Sequence, residues 1–188
     1  MKRLLLPLLV AAMSASTSFS ADTAGVTPRV PRTMLVAMEK SVDSRVRRVS
    51  PDNPFSLLGP TRGIYLEGYG AVFTAEVNLV PAPATMLLPG FGNSELAKQE
   101  IKQHRQKKLA LLPQLRQALR QSLIDSAASL DTVPPEQQIV VVAMLSKYAE
   151  EDITGLPQQI MMQASKKDLL EKRNNPAALD AAIRITEN

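Results

Sequence analysis

Ile139 to Leu145 reads IVVVAML, seven apolar residues in a row and mostly β-branched. A run of that kind is the mark of a strand covered on both faces, and such strands sit inside sheets with a parallel neighbour. That one segment restricts the chain to folds in which other strands and helices shelter it. The nearest strand candidate lies well upstream. Arg62 to Val80 is rich in Tyr, Val, Ile, Phe and Thr and is divided by glycines, which predicts a hairpin of Arg62–Glu67 and Ala71–Val80 around Gly68-Tyr69-Gly70. In that register Arg62 faces Glu76. Ala71, Phe73, Ala75, Val77 and Leu79 share one face of the second strand, and Thr74, Glu76 and Asn78 share the other.

Between these β segments lies a helical pattern from Ser94 to about Leu130. Its second half carries a stripe of Leu112, Leu115, Leu119, Leu123, Ala127 and Leu130, whereas Glu95 to Lys108 is mostly polar. Periodicity therefore predicts a packed second half and a more exposed first half. Pro113 removes a backbone donor, and a kink is expected there. A strand, a helix and a second strand in this order make a crossover with parallel strands. Gln159–Ala164 predicts another strand. Ser165 is placed to cap a helix with Asp168 three residues on, and Ala177–Ile185 predicts a last short helix. Upstream, Leu35, Met38, Val42, Val46 and Val49 step by three or four, predicting a helix over Met34–Val49. The expected fold is α+β or α/β: a mixed, roughly four-stranded sheet with a hairpin, a long crossover helix kinked near Pro113, and helices mainly on one face.

The amino terminus carries different information. Met1-Lys2-Arg3 is basic, Leu4 to Met13 is apolar, and Ser14 to Ser20 is small and polar. This is the three-part pattern of a secretory signal, with cleavage expected before Ala21. The expected organisation is a signal peptide over 1–20, a proline-containing flexible leader over 21–33, and one domain over 34–188. Export places the mature chain in the periplasm or outside the cell. The chain has no cysteine, so the domain folds without disulfides wherever it works. Without Lys2 and Arg3 the formal charge falls from +4 to +2, too little to imply a polyanion partner.

The GYGAVFTAEVNLV segment, together with IVVVAML, resembles a group of small exported bacterial proteins of unknown function. The resemblance spans most of the mature chain loosely and implies no activity.

The residues of chemical interest are few. His104 is the only histidine; with no cysteine and no second histidine, the usual structural zinc sets are excluded. There is no G-x-S-x-G, so His104 reads as an ordinary helix residue. Gly90-Phe91-Gly92 before Asn93-Ser94 has Glu95 where a dinucleotide fingerprint needs a third glycine, and reads as a turn. Glu67 and Glu76 point to opposite sides of the sheet in the expected register, and so do not pair as catalytic carboxylates. Glu150-Glu151-Asp152 lacks the spacing of a calcium loop and reads as a solvated turn. Tyr65, Tyr69 and Tyr148 are candidate exposed contacts. Lys98, Lys102, Arg105, Lys107 and Lys108 make a basic stretch without interleaved aromatics, which argues against nucleic acid. Lys102, Arg105 and Lys108 are the candidate partner-binding residues. No catalytic, cofactor or metal residues are expected. The leading expectation is an exported, non-enzymatic interaction or envelope-associated domain. The alternatives are an exported hydrolase-like enzyme whose site assembles only in the fold, and a binder of anionic membrane surfaces.

Overall fold

The structure is a computed structural model that describes residues 30–53, 56–83, 86, 94–149 and 151–188. The signal-like segment, its cleavage site, residues 21–29 of the leader, the Gly90–Gly92 turn and Glu150 lie outside the described residues. The elements run α1 (Arg32–Arg47), β1 (Arg62–Leu66), β2 (Gly70–Val77), α2 (Glu95–Ser129), β3 (Gln138–Leu145), β4 (Gln159–Ser165), α3 (Lys166–Glu171), α4 (Pro176–Ala182) and β5 (Arg184–Glu187).

One sheet of order β1-β2-β3-β4-β5 holds all the strands. β2 and β3 are parallel and every other neighbouring pair is antiparallel. The parallel pair is joined by α2, whose 35 residues span about 50 Å at 1.5 Å per residue. Phe73, Val77, Ile139, Val141, Ile160 and Met162 form one core with Val42 and Val46 of α1 and Leu115, Leu119 and Leu123 of α2. α3 packs against α2, and α4 against α3. The helices thus cover one face of the sheet. Val140 and Val142, on the other face, are buried but belong to no part of that core. In register they are flanked by Val72 and Gln163, and by Thr74 and Met161.

Three details depart from expectation. α1 begins at Arg32 and ends at Arg47, two residues earlier than Met34–Val49, because Pro31 supplies a ready helix entry. The hairpin register is shifted. Leu66 faces Gly70 and Arg62 faces Thr74, so the turn is Glu67-Gly68-Tyr69 and Glu76 is not the partner of Arg62. The reason is Gly70, which lies in the strand at φ 140°, where an added Cβ would meet Gln138 O at 1.9 Å. Passage of the β3 backbone at that point requires glycine. The third departure is a fifth strand: the last helix stops at Ala182 and β5 follows where helix was expected through Ile185. Pairing with β4 overrides the helical preference of the alanines. As expected, a long helix joins the parallel strands, and α2 runs through Pro113 as a single element.

Two side-chain devices fix the ends of this frame. At the β1 edge, Gly63 N–H donates to Glu39 Oε1 at 2.7 Å and Arg32 donates to Gly63 O at 2.7 Å. Arg32 and Glu39 are themselves an ion pair, and Asp43 accepts from Thr61 N–H at 2.9 Å. Helix α1 therefore occupies the hydrogen-bonding groups that an edge strand otherwise exposes. At the far end of α2, the buried Lys166 ammonium donates to the carbonyls of Leu130 (2.8 Å), Asp131 (3.2 Å) and Val133 (2.8 Å). These are carbonyls at and just beyond the helix C-terminus, which need partners when buried.

Replacing Lys166 with Met keeps the stem and removes the three donors. The expected loss is about 1–3 kcal/mol of unfolding free energy, the range for stranding buried polar groups. Urea denaturation measures it, and a change below about 0.5 kcal/mol, the level of a neutral surface substitution, would mean that these carbonyls do not depend on the lysine.

Candidate functional site

Ligand sites in open α/β sheets gather at the C-terminal ends of parallel strands. Here that place is just beyond Val77 and Leu145, which are paired in register. Ser146 N–H extends the ladder by donating to Val77 O at 2.9 Å. The connection between β3 and β4 then folds back over α2. His104 and Lys108 are one helical turn apart on α2 and face the same way. Both are buried, each 3% exposed.

Glu151 is what makes that burial tolerable. Lys108 Nζ lies 2.7 Å from Glu151 Oε1 and donates to Oε2 at 2.9 Å and to Ser146 O at 3.0 Å. Tyr148 N–H donates to Glu151 Oε2 at 3.1 Å. His104 Nε2 stands 3.4 Å from Oε1, outside good hydrogen-bond geometry, and has no other hydrogen-bond partner. The imidazole packs edge-on against the Tyr148 ring at 6.2 Å, and the ammonium sits 5.6 Å from the same ring, within cation–π range. Tyr148 OH accepts from Asn78 Nδ2 at 2.8 Å, and Asn78 O accepts from Asn53 Nδ2 at 2.6 Å. Residues from α2, the β3–β4 connection, the end of β2 and the α1–β1 loop thus meet in one buried polar cluster.

Burial works to raise the pKa of the Glu151 carboxyl. The neighbouring His104, the Lys108 ammonium and the Tyr148 N–H outweigh it and hold the group down at about 2. The carboxylate is therefore charged, neutralised by Lys108, and shut off from solvent: its side chain is 0% exposed. The space against Lys108, Ser146 and Glu151 is only about 10 Å³, room for roughly one water. A hollow of about 460 Å³ lies outside it, lined by Lys147, Tyr148, Ala149, Glu151 and Ile153. A larger hollow, about 600 Å³, lies between the α1–β1 loop and α2, beside Asn53, Leu79 and Lys107.

Two expectations are corrected here. Glu151 is not part of a solvated turn, because it is the counter-ion of a buried lysine. Lys102, Arg105 and Lys108 do not form one exposed face. Lys102 is exposed, Arg105 is partly buried against Asp152 at 3.3 Å and Thr154 O at 3.4 Å, and Lys108 is inside. An unpartnered lysine would indeed lean outward, but Lys108 has its partner. His104 likewise is no surface residue. Otherwise Glu95–Lys108 is the more exposed half of α2. Glu67 lies exposed in the hairpin turn and Glu76 exposed on β2. Tyr69 is exposed, while Tyr65 is partly buried with its OH donating to Gln137 Oε1 at 2.9 Å. Among the described residues, no group of three or more His, Asp or Glu could hold a metal ion, and no helix is long and apolar enough to cross a membrane.

Comparison with protein-family models, with curated proteins and with solved structures finds no match.

The Glu151 pKa has a consequence for stability. Its folded value, about 2, is below its ordinary value of 4.5. Its contribution is therefore complete above about pH 4.5 and is lost as pH falls through the folded value, because the unfolded chain binds the proton first. A shift of this size corresponds to on the order of 3 kcal/mol. Glu151→Gln should lower stability at neutral pH and flatten the fall between pH 4.5 and 2. Urea midpoints across that range compare the two proteins, and equal acid slopes would show that Glu151 is not the group responsible.

Proposed function

We propose that the protein is an exported, non-enzymatic domain that meets a protein partner through the open face of its sheet. The observation that carries this reading is the contrast between the two faces. The helix side holds the core, whereas on the other side Ile64, Leu66 and Met144 are exposed by 49%, 42% and 40% around the buried Val140 and Val142. Exposed apolar surface framed by polar groups is how protein contact sites look. Its rim here is Arg62, Glu76, Gln159, Gln163 and Arg184, with both charges present. Export rests on the basic, apolar and small-residue segments of Met1 to Ser20.

The hydrolase-like alternative has less behind it. Among the described residues, the acid whose pKa is held down to about 2 is neutralised by Lys108, and the space between the two groups is only about 10 Å³. The membrane-surface alternative loses Lys108 from its basic face and has Arg105 engaged with Asp152.

A photo-cross-linking residue at Leu66, on the open face, and another at Lys102, on the exposed side of α2, separate these readings in producing cells. The expected result is a protein adduct from position 66, none from position 102, and a recovered chain that begins at Ala21. An adduct from position 102 alone would place the contact on the basic helix and overturn the reading, and a chain still beginning at Met1 would remove its export component.

A further inference from the structure

The two edges of the sheet are treated differently. α1 blocks β1 through Arg32, Glu39 and Asp43. β5 has no such cover. Asn188 N–H donates to Gln159 O and Asn188 O accepts from Gln159 N–H. With the β4–β5 register this fixes which groups point where. Antiparallel partners alternate between hydrogen-bonded and non-hydrogen-bonded pairs. Arg184, Thr186 and Asn188 therefore turn their backbone groups toward β4, and Ile185 and Glu187 turn theirs outward. No hydrogen bond to those outward groups is present among the described residues. Ile185 is also 52% exposed, the second most exposed large apolar residue described.

From this edge we infer that β5 pairs with β5 of a second copy of the chain, antiparallel about a twofold axis through Thr186, joining two sheets into one of ten strands. The edge is self-complementary in that register. Ile185 of one copy faces Glu187 of the other, and the N–H and C=O of both residues are all used, on both sides of the axis. Thr186 meets its own symmetry mate as a non-hydrogen-bonded pair, a favourable cross-strand combination. Isologous twofold contact of this kind is the commonest way a chain self-associates. Short edge strands usually escape pairing; here the free groups repeat with the spacing that a second copy supplies, and the exposed Ile185 is covered at the same time. The Glu187 side chain stays on the helix side, held by Arg116 at 2.7 Å, so it does not obstruct the axis. The contact uses the edge backbone of β5, whereas Ile64 and Leu66 lie on β1 at the opposite edge of the sheet.

The absence of cysteine makes the test direct. In the Thr186→Cys chain the one thiol can bridge only to another molecule. Non-hydrogen-bonded antiparallel partners have Cα atoms about 4.5 Å apart, within the reach of a disulfide. Mild oxidation of the otherwise unaltered chain should give a disulfide-linked dimer as the main product, while Lys102→Cys, exposed on α2, should not. Sedimentation of the unmodified protein should give a dimer, and Ile185→Pro should convert it to monomer. That proline removes an outward donor and no β4 ladder bond, so circular dichroism should stay unchanged. Monomer at all concentrations, no cross-link at position 186, or a dimer that survives Ile185→Pro with the fold intact would each overturn the inference. Capture of a different protein's strand by a monomeric chain at this edge would overturn it too. If Ile185→Pro disturbs the fold, the cysteine cross-link alone decides.

Discussion

A buried lysine facing a buried glutamate organises the upper end of this molecule. Lys108 and Glu151 are each too costly to bury alone. Together they tie a helix to a connection more than 40 positions later, beside the Arg105–Asp152 pair one turn earlier on the same helix. The pair also sets what surrounds it. Tyr148 is oriented by its own N–H on Glu151, Asn78 by the Tyr148 hydroxyl, and Asn53 by Asn78. A single ion pair thus reaches the loops that follow α1, β2 and β3, all at the C-terminal end of the parallel strands.

The same interaction neutralises the acid whose pKa is held lowest among the described residues. In a catalytic site, groups with shifted pKa values face a cleft and remain free to exchange protons. Here the shifted carboxyl is buried and neutralised by the Lys108 ammonium. The frame leaves groups unused elsewhere: the exposed Ile64, Leu66 and Met144 opposite the helices, and the outward backbone groups of β5. One edge blocked by α1 and one left bare gives the sheet a direction, and it is the bare end where extension by another strand is geometrically simple.

Much of the frame was legible in the residues. IVVVAML announced a central strand, the leucine stripe of α2 its buried side, and Ser94 and Ser165 their helix starts, because period and capping are local signals. What was not legible was set by distant neighbours. The hairpin register depended on Gly70 lying against Gln138, far along the chain. β5 has four residues after an alanine-rich helix, too few for alternation to outvote propensity. Lys108 shared a helical line with Leu115, which was a signal of burial; the missing step was to seek its counter-ion in the acidic run Glu150–Asp152. Pairing across that distance leaves no spacing pattern, so the run looked like a solvated turn.

Hydrogen exchange at the Tyr148 amide tests the organising role of the Lys108–Glu151 pair most directly, since that N–H rests on the glutamate and not on the sheet ladder. In Lys108→Met the Tyr148 amide should lose at least tenfold protection, about 1.4 kcal/mol, while the amides of Val140 to Ala143 in β3 keep theirs. Unchanged protection at Tyr148, in a variant whose β3 remains protected, would contradict the account and show that the connection holds its place without the ion pair.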